Sequence, residues 1–205
     1  MTKNRFSEPE QYLMTRWADV EMLRQSIKSI GDKYGEICEE VYAAVKEKYP
    51  KLNYPGIHAT SSGGQIGIGK REWPSMYDTW PSGLWVYDFG LEILASEEDP
   101  PPSCGIWLKP PTRLGFDLDQ AKRKVRSAAK KLLTPEQLAR LGEDDDRWTC
   151  FWYPLPESRQ DLLDMLLKDQ VQDFVECLVS HFEVLAKFIP VIDELFEAQK
   201  PVRKT

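Results

Sequence analysis

Apolar residues near the N-terminus recur with a helical period. Val20, Leu23, Ile27, Ile30, Tyr34, Ile37, Val41 and Ala44 follow an alternating three-four spacing, the a/d pattern of a coiled-coil seam. Ser7 and Pro9 suit a helix start, with Glu8 and Glu10 at the positive end of the dipole, and Pro50 stops the run. The pattern predicts a helix over 8–48, about 60 Å long at ~1.5 Å per residue. Gly31 and Gly35 each cost about 1 kcal/mol in a helix interior. They offer a break near 29–32, with Asp32 as the cap of a second helix. The register crosses both glycines unbroken, which favours one helix over a pair.

A second stripe, Val171, Val175, Leu178, Phe182, Leu185, Ile189, Ile192 and Phe196, predicts a long helix over 158–199. Pro190 falls off that stripe, so a kink there leaves it intact. The two seams are expected to pack on each other or on a common sheet within one chain. The alternative is pairing between chains, as a homodimer joined by helical seams.

Between the stripes the period changes to two. Residues 52–116 hold nine of the twelve glycines. Residues 57–61 and 65–70 flank Ser62-Gly63-Gly64, a hairpin signal. Residues 84–94 alternate, with Trp85, Tyr87, Phe89, Leu91 and Ile93 on one face and Leu84, Val86, Asp88, Gly90 and Glu92 on the other. A proline-rich turn over 97–103 leads into a strand over 104–109. A last strand over 148–155 places Trp148, Cys150 and Trp152 opposite Thr149, Phe151 and Tyr153. Helices are predicted over 118–133 and, from the capping sequence Thr134-Pro135-Glu136-Gln137, on to Leu141. No strand–helix–strand alternation calls for parallel crossovers. The expected fold is α+β: one domain over 1–205, with a roughly five-stranded antiparallel sheet packed against long N- and C-terminal helices.

Composition narrows the class. The chain has 205 residues and a net charge of −6, and no apolar run reaches the length of a membrane helix. Its N-terminus lacks the apolar stretch of a secretory signal. The four cysteines, Cys38, Cys104, Cys150 and Cys177, form no CxxC pair. Reduced thiols in a cytoplasmic protein are expected, rather than a disulfide framework.

Three groups of residues are candidates for function. The loop 71–81 gathers Trp73, Met76, Tyr77 and Trp80, amphipathic side chains suited to a protein partner. The helix over 118–133 carries Lys122, Arg123, Lys124, Arg126, Lys130 and Lys131, a basic stripe that reads as a nucleic-acid contact or as a solvated face balancing acidic helices. Asp88 and Glu92 share a strand face, and with Lys109 they resemble the parts of a Mg²⁺ nuclease. That chemistry wants an acid two residues before the lysine, where Trp107 stands.

Weaker signals close the inventory. Cys177 and His181 share a helix face, but two ligands do not close a zinc site and no third is adjacent in sequence. The glycines at 63, 64, 67 and 69 lack the GK[ST] of a phosphate loop and read as a hairpin or a close backbone approach. Residues 157–198 carry ten acids and three bases, a field that steers basic partners. The sequence therefore reads as a non-enzymatic interaction protein, accessory, regulatory or inhibitory, without metal or cofactor. It would meet a protein partner through the aromatic loop and an acidic helical face. The alternative is a nucleic-acid-binding or degenerate nuclease-like protein using the basic helix.

Overall fold

The computed structural model describes residues 6–60, 63–76, 81–87, 102–111, 115–142 and 148–198. Along the chain run α1 (Glu8–Thr15), α2 (Trp17–Lys48), β1 (Tyr54–Thr60), β2 (Gly63–Gly69), β3 (Gly83–Tyr87) and β4 (Ser103–Trp107). They are followed by α3 (Leu118–Leu132), α4 (Pro135–Ala139), β5 (Thr149–Pro154), α5 (Arg159–Leu167), α6 (Val171–Ala186) and α7 (Ile189–Glu197). The strands pair in sequence order, β1-β2-β3-β4-β5, every pair antiparallel and the sheet open. The α+β class and the antiparallel sheet read from alternation are those observed. Residues 88–94, where the third strand was expected to continue, lie outside the described residues, and Asp88 and Glu92 with them.

One face of the sheet is greasy and covered. Ile66, Ile68, Leu84, Val86, Cys104, Ile106, Phe151 and Tyr153 are all buried on it. Against them pack Cys38, Val41 and Val45 of α2, Phe174, Leu178 and Phe182 of α6, and Ala121, Val125 and Ala129 of α3. Each such large side chain contributes roughly 1.5–3 kcal/mol on burial. The other face carries tryptophans over glycines. Trp85 lies opposite Gly67 and Gly105, and Trp107 opposite Gly83. The two indoles stack at 5.4 Å between centroids. A Cβ on Gly105 would stand 2.9 Å from the Trp85 ring, so only glycine lets that indole lie on the strand.

Three local breaks depart from the sequence reading. The N-terminal helix is interrupted at Arg16 (φ −111°, ψ 24°), giving α1 and α2, whereas Gly31 and Gly35 stay inside α2. The 158–199 helix is three helices: Asp169 turns left-handed (φ 58°) after α5, and α6 stops at Ala186, four residues before Pro190. Proline clashes with the carbonyl four residues back, so α6 ends where that rule puts it. The apolar stripe survives both breaks, with Val175, Leu178, Phe182, Leu185, Ile192 and Phe196 all buried. In β5 the register slips by one residue between Ile106 and Trp107, so Thr149 pairs with Trp107 and shares its face. Thr149 is therefore not on the face of Phe151 and Tyr153, because a bulge reverses the alternation.

Candidate functional site

The loop after β2 is tied down. The Trp73 amide donates to the Lys70 carbonyl (3.0 Å), closing a turn, and the Arg71 amide donates to Asn53 Oδ1 (3.2 Å). Ser82, fully buried, donates to the Pro74 carbonyl (2.9 Å) and accepts from the Lys109 amide (2.8 Å), while the Met76 amide donates to the Lys109 carbonyl (2.6 Å). Trp73 is 2% exposed; its Nε1 donates to Asp193 Oδ1 at 2.8 Å and its ring stacks on Phe196. Lys70 Nζ, also buried, pairs with the same carboxylate at 2.7 and 2.5 Å. The expected exposed contact by Trp73 is thus replaced by a core one: the indole anchors α7 to the loop. Met76 is exposed, and Tyr77 and Trp80 lie outside the described residues.

Of the group Asp88, Glu92 and Lys109, only Lys109 lies among the described residues. Lys109 Nζ sits 3.6 Å from the centre of the Trp107 ring, a cation–π contact. Within the basic helix, Lys124 bridges to Glu194 of α7 (2.9 Å) and Arg126 Nε donates to the Cys150 carbonyl (2.7 Å). Arg123, Lys130 and Lys131 are exposed, and Lys122 is half-buried. Part of the stripe therefore serves the balancing role, tying α3 to an acidic helix.

The helical pair Cys177–His181 acquires a third member. His181 Nε2 lies 3.0 Å from Glu157 Oε2 and 4.0 Å from Cys177 Sγ. Burial, and then the Glu157 charge, push the Cys177 thiol up to about 12. Burial holds His181 below its ordinary value against the pull of Glu157. A Cys–His nucleophile needs its acid on the ring nitrogen remote from sulfur; here both groups meet Nε2, so the geometry is not that of a relay. The other three thiols are free, buried and likewise raised to about 12 by burial.

Among the described residues, exposed apolar side chains gather on the N-terminal arm, α1 with the first half of α2. Along the seam of α2, Leu23 is 61% and Ile30 47% exposed, whereas Val41 is fully buried, with Ile37 and Ala44 half-buried and the neighbouring Cys38 and Val45 fully buried. Tyr34 marks the crossing point, edge-on to Phe174 of α6. Tyr12, Leu13, Met14, Trp17 and Met22 add further exposed apolar surface. Length explains the overhang. The 32 residues of α2 span about 48 Å. Seven-residue strands reach about 23 Å and five strands are about 19 Å across. No orientation on this sheet covers the whole seam. Sequence reasoning found the stripe but not where it leaves the body, and it missed Glu157 because that residue is distant in sequence from its helix partners.

No protein-family model, curated protein or solved structure matches this chain. Among the described residues, no helix is long and apolar enough to cross a membrane.

Proposed function

We propose that this chain is a non-enzymatic interaction protein, accessory, regulatory or inhibitory, whose working surface is the seam of the N-terminal arm and whose first partner is a second copy of itself. One observation carries the reading: the apolar seam of α2 is buried at Tyr34 and Val41, half-buried at Ile37 and Ala44, and left in water at Leu23 and Ile30. Exposed contiguous apolar surface of this kind belongs to interfaces. The stripe supports self-pairing in an antiparallel sense. The body of each chain sits on the seam from Tyr34 onward, so parallel arms would drive two bodies into one place, while antiparallel arms set them at opposite ends. In that sense Val20 of one copy faces Ile30 of the other, and the flanking Asp19 and Lys33, both exposed, meet across the pair with opposite charge. The acidic helices α5–α7 stay outside the pairing, and their charge favours a basic protein as a second partner. Free cysteines, three of them buried and Cys177 half-buried, fit a cytoplasmic setting.

The test is the mass in solution. Size-exclusion chromatography with light scattering should give a dimer at micromolar concentration. The double variant Leu23→Asp, Ile30→Asp should elute as a folded monomer with an unchanged near-UV spectrum, because neither side chain belongs to the core. Each buried apolar contact is worth roughly 1.5–3 kcal/mol, so four lost contacts per dimer abolish pairing. A wild-type chain that stays monomeric at about 100 μM, where only contacts weaker than ~5.5 kcal/mol go unfilled, overturns self-pairing.

A further inference from the structure

Helix α6 places Cys177 and His181 four residues apart, stacked on one face. The connection from β5 to α5 brings Glu157 against them and holds it there. On one side the Leu155 amide donates to the Pro102 carbonyl (2.7 Å). On the other, Ser158 caps α5: its amide donates to Asp161 Oδ2 (2.8 Å) and its hydroxyl accepts from the Asp161 amide (3.1 Å). The donor atoms of Glu157, Cys177 and His181 all lie within 4.8 Å of one another, the histidine buried and the other two half-buried.

We propose that Glu157, Cys177 and His181 bind a divalent cation of the zinc class, clasping the β5–α5 connection to α6 and leaving a fourth position for water. Tetrahedral zinc with bonds of ~2.0–2.3 Å separates its ligand atoms by about 3.3–3.7 Å, so side-chain shifts of about 0.5 Å bring the three donors onto that triangle. The observed edges of 3.0 Å and 4.0 Å straddle the range. Direction matters as much as distance. Carboxylate and sulfur both face His181 Nε2, and the thiol also hydrogen-bonds Glu157, so the three groups converge on one point. A cation at the centre engages all three groups at once. The donor set of one nitrogen, one sulfur and one oxygen suits a borderline-soft ion and disfavours Mg²⁺ or Ca²⁺, which take oxygen shells. The site lies on α6 and the β5–α5 connection, uses no residue of the arm, and does not depend on self-pairing.

The full-length chain, treated with a chelator and desalted, is titrated with Co²⁺ and then with Zn²⁺. The expected result is one Co²⁺ per chain, with the intense visible bands of tetrahedral cobalt and a near-ultraviolet thiolate-to-cobalt transition, both bleached by Zn²⁺. Cys177→Ser should remove the thiolate transition. Glu157→Gln should keep that transition while weakening binding by more than ~10-fold, since losing a direct ligand exceeds the ~10–100-fold cost of losing an outer-shell partner at its low end. Absence of these bands, or a thiolate transition that persists in Cys177→Ser, overturns the site. Glu157→Gln keeps the size of the side chain and a hydrogen-bond acceptor, so it stays folded and readable if the cysteine variant does not. Unchanged affinity in that variant likewise overturns the three-ligand set.

Discussion

Asp193 does two jobs with one carboxylate: it neutralises Lys70, whose side chain is 8% exposed, and it accepts the Trp73 indole proton. The Lys70 ammonium also lies 5.3 Å from the centre of that indole. Removing the acid strands a buried cation and a buried donor together. A fully buried pair broken in this way costs ~3–5 kcal/mol, and because the Asp193 side chain is 33% exposed the expected loss for Asp193→Ala is about 2–4 kcal/mol. Urea unfolding followed by tryptophan fluorescence measures it; a midpoint equal to wild type would show that Trp73 does not need this anchor. The same triad explains why Trp73, the one described aromatic residue of the loop, is a core side chain rather than a contact. Trp73 has the composition of a recognition residue, and only the acceptor 120 positions later makes it a core residue.

Elements were legible wherever a local rule decides them. The β1–β2 hairpin was legible from its glycines, although Gly63 and Gly64, expected in the turn, pair within β2 opposite Thr60 and Ala59. Helix α4 is capped at Thr134 because its capping box is written in four consecutive residues: Thr134 Oγ1 accepts from the Gln137 amide and Gln137 Oε1 from the Thr134 amide. The breaks were less legible where they rest on tertiary fit. At the end of α5 the Asp169 amide donates to the Leu166 carbonyl (3.2 Å) and the Gln170 amide to the Met165 carbonyl (2.7 Å), a Schellman cap with Asp169 in the left-handed position that glycine usually fills. No glycine stands there to announce the stop. Asp tolerates the conformation at a cost that glycine avoids, so Asp169→Gly should raise stability by up to about 1 kcal/mol, visible as a higher thermal midpoint. A fall would mean that the Asp169 side chain holds the cap. The bulge in β5 and the meeting of Glu157 with α6 were out of reach for the same reason: both depend on what a residue faces rather than on its neighbours in the chain.

At the scale of the molecule the question is how a basic helix behaves on an acidic protein. The segment 117–133 carries +4 against −10 for the remainder of the chain, yet its stripe is partly spent. Lys124 reaches Glu194 of α7, and the Arg126 guanidinium reaches the backbone of β5. Elsewhere the same acidic helices take Lys48 to Glu183 and Lys70 to Asp193, so cations from three separate elements clamp α6 and α7 onto the body. Arg123, Lys130 and Lys131 are left exposed on α3. Three phosphate contacts correspond to a salt slope of about −2.7 in log K against log[salt], and non-specific binding of that kind has Kd values of ~10⁻⁴–10⁻⁶ M at physiological salt. The long-range field of an acidic protein opposes even that. Duplex DNA should therefore bind more weakly than about 10⁻⁴ M at physiological salt, the weak end of the non-specific range, as read by fluorescence anisotropy. A slope steeper than about −4 would require more cations than the exposed part of α3 presents, and would restore the basic helix as the principal surface in place of the arm.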